Sequence, residues 1–350
     1  MVGGTMIKII NNKKIILLAG LTAILLLIPV FITKPYFLHV IVMCLLWAYL
    51  ASSWNIVGGF AGQLSLGHGI YTAVGAYATV MLFNTLGLSP WLGMLIGGSL
   101  AVLLSLIIGF PTFGLRGAYY ALATVAISEG VIVLLNSVSN LGKFQVGGAE
   151  GLIVKTVGNS FGAIQFVSKV PYYYIMLIAL GLAILVAKLV KESRLGYYLV
   201  ALREDEEAAA ALGVNVRNNK LIAGAISAFM TAIGGVFYAM LIRYLEPNAI
   251  AGAAAMSTQM VFMTIVGGAG TVLGPVIGGI LLSIVSEVIR FYLGGQLMGL
   301  HLFVYGLIVM VMIIYQPAGI IAWYDKFKEH RLRKVANKGG ASGAENSSGA

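Results

Sequence analysis

The sequence predicts an all-α, polytopic helical membrane protein of about ten spans with Gly-rich broken helices. Three observations predict it. Hydrophobic residues make up 59% of the 350 and charged residues only 10%, giving a mean hydropathy of +0.95. A soluble domain so composed could not cover its surface with polar groups. The apolar residues also come in runs of roughly 20, the length a bilayer-spanning helix needs. Finally, the chain holds 45 glycines, and glycine is common in membrane helices because it lets backbones approach closely.

The elements follow in order. Lys8, Lys13 and Lys14 precede an apolar run from Ile15 to about Thr33. The run has no small-x-small cleavage site, so it reads as a first span rather than a signal peptide. Further spans are expected at about 37–57, 70–86, 90–110, 117–138, 172–190, 221–242, 256–270, 275–293 and 300–317. The chain then divides into a cytoplasmic N-terminus (1–14), a transmembrane domain (15–320) and a basic, then disordered, cytoplasmic tail (321–350). Within the domain, 139–171 is an external loop and 191–220 a cytoplasmic one. This orientation puts 16 of the 22 Lys and Arg inside, among them Arg116, Lys191, Arg203 and Lys220. It leaves Lys34, Lys143, Lys155, Lys169, Arg243 and Arg290 outside, which satisfies the positive-inside rule. The net charge of +10 therefore reflects membrane topology, and no nucleic-acid partner is expected. The single cysteine, Cys44, lies in an apolar run and reads as a small buried residue.

One feature suggests internal duplication. Ile56-Val57-Gly58-Gly59-Phe60-Ala61-Gly62 recurs as Ile265-Val266-Gly267-Gly268-Ala269-Gly270, each copy leading into an apolar helix. Both copies fall near the inner side, as a parallel repeat requires; chance similarity in Gly-rich apolar sequence is the alternative. The run 256–270 is also short, reaching about 22 Å at ~1.5 Å per residue against a ~30 Å hydrocarbon core. Broken helices of this kind often line transporter sites.

The most charged stretch before the tail runs from Ser193 to Gly213. Arg203 to Leu212 reads as one helix, with acidic residues Glu204 and Asp205 at its N-terminal end and Gly213 just past its C-terminus. The run through Ala208 and Ala209 makes a small, smooth face that could enter a groove in a partner; a solvated surface helix is the plain alternative.

This stretch resembles the coupling loop of binding-protein-dependent ABC importer permeases, and more narrowly the branched-chain amino acid permeases of the LivM type. Further motifs resemble the same family in the same order. They are Gly62-Gln63-Leu64-Ser65-Leu66-Gly67-His68-Gly69, Gly114 to Thr124, Gly147-Gly148-Ala149-Glu150-Gly151-Leu152, and Ile265 through Pro275. Val146 departs from the pattern, which has Thr before the paired glycines. The resemblance covers about 40–320. It implies an import subunit in a bacterial-type cytoplasmic (inner) membrane, with both termini inside. Its implied partners are two ABC ATPase subunits, a second homologous permease and an extracytoplasmic solute-binding protein. The implied substrate is a branched-chain amino acid, and no cofactor is implied. Arg203, Glu204, Asp205, Ala208, Ala209, Leu212 and Gly213 would contact the ATPase. Gly147, Gly148, Glu150 and Gly151 would contact the binding protein. Gly59, Gln63, Ser65, His68, Glu129, Gly267, Gly268 and Gly270 are candidates for the substrate path. The chain has no G-x-x-x-x-G-K-[ST] loop, so ATP would be hydrolysed on other chains.

The polar residues inside expected spans admit plainer readings. Glu129 lies mid-span and should find a partner or line the path. His68 is read as a structural hydrogen-bonding group ahead of a proton relay. Glu287 and Arg290, three apart, should pair on one helix face. A proton-coupled secondary transporter using Glu129 and His68 is one rival reading, and a sugar or nucleoside permease is another. An intramembrane protease is disfavoured, since the only aspartates are Asp205 and Asp325 and neither H-E-x-x-H nor G-x-S-x-G is present.

Overall fold

A computed structural model describes residues 20, 24–32, 34–293, 300–316 and 319–322. The segment 1–14, much of the expected first span and the tail beyond Ala322 lie outside the described residues. Within that first span, residues 24–31 are helical (α1). The long helices that follow are α2 (Pro35–Asn55), α3 (His68–Leu86), α4 (Pro90–Thr112), α5 (Ala118–Ser137) and α6 (Val170–Glu192). Two short ones, α7 (Arg194–Glu204) and α8 (Glu206–Ala211), precede α9 (Val216–Ile242). Then come α10 (Pro247–Ala251), α11 (Thr258–Gly267), α12 (Gly274–Leu293) and α13 (Leu300–Tyr315).

Among the described residues, eight helices are long and apolar enough to cross a membrane, and a ninth apolar helix, Ala253–Gly267, is shorter. With the expected first span largely outside the described residues, this agrees with the expectation of about ten spans. The short element is the run already suspected from its length, and it enters through a π-helical turn at Ala253–Ser257. Several boundaries have simple causes. Proline occupies the first turn of α2, α4 and α6, where its missing N–H and fixed φ are tolerated. Gly87 ends α3 with φ +67°, a left-handed conformation that a Cβ disfavours.

Helices α2 and α9 form the centre of the bundle, their apolar windows 78% and 67% buried, whereas α5 and α12 are only 28% and 22% buried. Small residues let the inner helices meet at backbone distance. A Cβ on Gly75 of α3 would stand 2.7 Å from Ala232 Cα of α9, and one on Gly97 of α4 would stand 2.9 Å from the Gly75 carbonyl oxygen. In lipid, such packing substitutes for the hydrophobic drive that water supplies elsewhere.

The protein is not purely helical. Between α5 and α6 lies a small hairpin, β1 (Asn140–Leu141) with β2 (Phe144–Gln145). Beyond it, β3 (Leu152–Ile153) pairs antiparallel with β4 (Tyr244–Leu245), which follows α9. The 139–171 segment is thereby fastened to one end of α9. The 191–220 segment lies at the other end, so the two long connections occupy opposite ends of the bundle. Two antiparallel residue pairs satisfy backbone groups that a loop at a membrane boundary would otherwise leave open.

Candidate functional site

The charged segment folds as two helices rather than one, a correction to the expected helix over Arg203–Leu212. Asp205 is extended (φ −156°, ψ 112°) and interrupts it. Its carboxylate accepts from the backbone N–H of Glu207 at 2.9 Å and of Ala208 at 3.0 Å. Asp is a stronger N-cap than a helix-interior residue, because its side chain competes for local backbone donors. Arg203 and Glu204 thus close α7, and α8 carries the alanines. At the far end, Gly213 has φ +86°. Its N–H donates to Ala210 O at 2.9 Å and that of Val214 to Ala209 O at 3.1 Å, the pairing of a Schellman stop.

Helix α8 has an inner and an outer side. Ala209 is 3% exposed and belongs to the main core, whereas Ala208 is exposed and Leu212 is 86% exposed. Ala209 therefore faces its own chain, and a bulky residue there would disturb this chain's packing. Ala208, Leu212 and Gly213 lie on the exposed side, as do Glu204, Asp205 and Glu207.

Beneath α8 sits a charged hub that sequence reasoning passed over. The Lys220 side chain, at the start of α9, is completely buried, and its ammonium meets the Glu206 carboxylate in the first turn of α8. Gln63 Nε2 donates to the same carboxylate at 3.1 Å. Arg116, on the α4–α5 connection, lies 3.6 Å from Glu206 and donates to Glu207 at 2.7 Å. Three sequence-distant segments converge on the first turn of α8, where negative charge also suits the helix dipole. The available signal was the alternation of Arg116, Glu206 and Lys220 among apolar spans, but only the fold brings them together.

Arg203 reaches back to the first Gly-rich break. Its Nη1 donates to the Gly59 carbonyl at 3.2 Å. Its Nη2 donates to Glu204 at 2.8 Å. Asn55, fully buried, bridges the two Gly-rich breaks. Its amide donates to Thr271 O at 2.8 Å and accepts from Gly270 N–H at 2.9 Å. A Cβ on Gly59 would lie 2.6 Å from Gly270 N. The two copies of the internal echo therefore touch. Gly267 packs against Gly274 at the α11–α12 turn, and Gly268 and Gly270 have φ +121° and +77°.

The remaining path candidates separate. Ser65 and His68 are 3% and 2% exposed. His68 Nε2 lies 2.8 Å from Ser227 Oγ, and its Nδ1 lies 2.8 Å from Ser65 Oγ. Ser227 spends its only hydroxyl proton on Ser53 O, so Nε2 is the donor to it and Nδ1 accepts from Ser65. Both ring nitrogens are thus engaged. Ser65 O accepts from Trp54 Nε1 at 2.7 Å. Gln63 is buried, and its Oε1 has no partner among the described residues. Glu129 lies apart from all of these, exposed on α5 beside the exposed Leu122 and Val133. Neighbouring Ser128 faces inward and donates to Ala251 O at 2.8 Å. Glu287 and Arg290 do pair, at 3.4 Å.

At the opposite end, Gly147, Gly148 and Gly151 all have positive φ (+93°, +54° and +81°). Gly147 and Gly151 help line a polar cavity of about 430 Å³ with Asn136, Ser139, Asn140, Gln145 and Glu150. Tyr244 donates to Glu150 O at 2.9 Å, and Val146 is buried below.

A family model described as "Branched-chain amino acid transport system / permease component" matches residues 36–314, from α2 to α13. The chain belongs to this family. The permease is 28% identical over 297 residues to the high-affinity branched-chain amino acid transport system permease protein LivM of Escherichia coli (strain K12), covering 80% of this chain and 68% of that one. It is 25% identical over 336 residues to the probable branched-chain amino acid transport permease protein LivM of Methanocaldococcus jannaschii, covering 81% and 94%. It is also similar to the LivH permease of Salmonella typhimurium, 24% identical over 298 residues and covering 79% and 91%. No solved structure matches. The permease is thus a multi-pass membrane component of a transport system and not an enzyme.

Proposed function

We propose that this permease forms half of the membrane channel of a binding-protein-dependent ABC importer for branched-chain amino acids. Two ATPase subunits would dock from the side of α7 and α8, and a second, homologous permease would complete the path. Similarity to both LivM and LivH relatives supports a paired arrangement. The observation that carries the reading is the α7–α8 segment itself. It is capped at both ends, pinned from below by the Glu206 hub, and presents Ala208 and an 86% exposed Leu212 outward. A rigid, small-faced helix with one apolar anchor suits insertion into a groove of a soluble partner.

The side bearing α7 and α8 would be cytoplasmic, as the charge bias requires, in a bacterial-type inner membrane. The Gly147–Gly151 loop would then face outward and receive the solute-binding protein. Glu129 would face the second permease across the path, because an ionisable group mid-span is expensive unless protein or water covers it. With both ring nitrogens of His68 engaged, Gln63, Ser65 and His68 would hold the first break rather than touch substrate.

The test is reconstitution with co-expressed ATPases, second permease and binding protein, measuring uptake of leucine, isoleucine and valine against ribose and a nucleoside. ATP-dependent uptake of the branched amino acids is expected. Uptake driven by a proton gradient without ATP would return the secondary-transporter reading, and ribose or nucleoside preference would reassign the substrate.

A further inference from the structure

Two glycines of the two breaks, Gly62 and Gly270, leave a space that a single side chain fills. The Arg203 Cγ lies 2.6 Å from the point where a Cβ on Gly62 would stand, and Gly62 has φ +68°. The guanidinium lies against Gly270 in the same way. Its Nη1 reaches the carbonyl of Gly59. That carbonyl lies in the π-helical turn Ile56–Phe60 closing α2, and a helix end leaves carbonyls in need of donors. The second break is joined to the first through Asn55. Lys191, in the last turn of α6, adds a donor to Gly270 O at 3.4 Å. The last turn of α7, the end of α2 and the turn after α11 therefore meet at one guanidinium.

We infer that Arg203 is a positioning residue that transmits motion of the α7–α8 segment to both Gly-rich breaks at once. This rests on the importer reading above. The Arg203 stem packs against Gly62 while its guanidinium donates to Gly59 and lies against Gly270. A rigid link of this kind moves both breaks together when a partner shifts the segment. Without it, the segment would move and the breaks would not follow. Glu204 accepts from Nη2 and Nε and holds the guanidinium in this orientation.

A purely structural staple would lower the amount of folded protein but leave the amino acid transported per ATP unchanged in what remains. The experiment reads that ratio in proteoliposomes containing the complete transporter, for wild type, Arg203→Lys and Arg203→Ala. Wild type is measured first. No ATP-driven uptake there would overturn the importer reading itself, separately from this inference. With an active wild type, Arg203→Ala should lower transport per ATP by about tenfold, within the usual range of coupling effects. Hydrolysis itself should fall less. Arg203→Lys should lie between, since one ammonium keeps the charge but loses the fork. A wild-type ratio in Arg203→Ala would overturn the inference. If that variant fails to assemble, Arg203→Lys decides, a lowered ratio supporting the role and a wild-type ratio ending it.

Discussion

The wholly buried ammonium of Lys220 meets the carboxylate of Glu206 across the α8–α9 junction. Gln63 donates to the same oxygen. Removing one partner of such a pair leaves an uncompensated charge, whereas replacing both with apolar groups is often neutral. Glu206→Ala should therefore destabilise the permease by about 3–5 kcal/mol, towards the lower figure because Glu206 is itself 16% exposed. Glu206→Leu with Lys220→Met should recover most of the loss. Thermal unfolding in detergent ranks the three proteins, and a double variant no better than Glu206→Ala would refute the hub.

Asp205 separates α7 from α8 by capping the latter. Asp205→Ala should cost roughly 1 kcal/mol of local stability, and Asp205→Asn much less, since the amide oxygen can still cap. Limited proteolysis of the 191–220 segment should show faster cleavage for Ala than for Asn. Equal rates would mean that the cap does not set the break.

Leu212 and Ala209 share a helix end but differ in burial, Ala209 being in the core and Leu212 exposed. Leu212→Asp should reduce ATPase co-purification by about tenfold, as for a desolvated anchor, without changing thermal stability. Ala209→Trp should lower stability of the permease alone by about 1–3 kcal/mol through overpacking. If Leu212→Asp retained its ATPases at wild-type levels, α8 would not be the docking helix.

His68 is held at both nitrogens. His68→Leu leaves Ser65 and Ser227 with a lost partner each, about 1–3 kcal/mol for an unsatisfied buried group, so yield should fall. His68→Gln should restore part of it, and the pH dependence of uptake should match wild type in both. A shifted pH profile would revive a relay role.

Topology can be read with Asn159→Cys and Asn218→Cys in a Cys44→Ala background, both asparagines being exposed. An impermeant thiol reagent on intact cells should label the first and not the second. The reverse pattern would invert the orientation.

Much of the architecture was legible in the chain because lipid imposes a one-dimensional rule. A spanning helix must satisfy its own backbone, so it appears as one apolar run. The runs from 37 to 293 correspond to α2–α6, α9, the short helix ending in α11, and α12. Gly213 was legible for a similar local reason, since only its own φ was at stake. The split at Asp205 was not, because helix propensity over 203–212 favours one helix and the cap wins only through two specific backbone bonds.

The sequence by itself determined a polytopic helical permease, its long spans, its charged loop and its Gly-rich breaks, because each depends on neighbours along the chain. Only the tertiary structure decided what those pieces do to one another. It turned Ala209 inward, left Glu129 uncovered on α5, engaged both nitrogens of His68 and set Arg203 against Gly59, 144 positions away. Burial and hydrogen bonding are properties of packed surfaces, and no periodicity along a chain specifies which distant surfaces will meet.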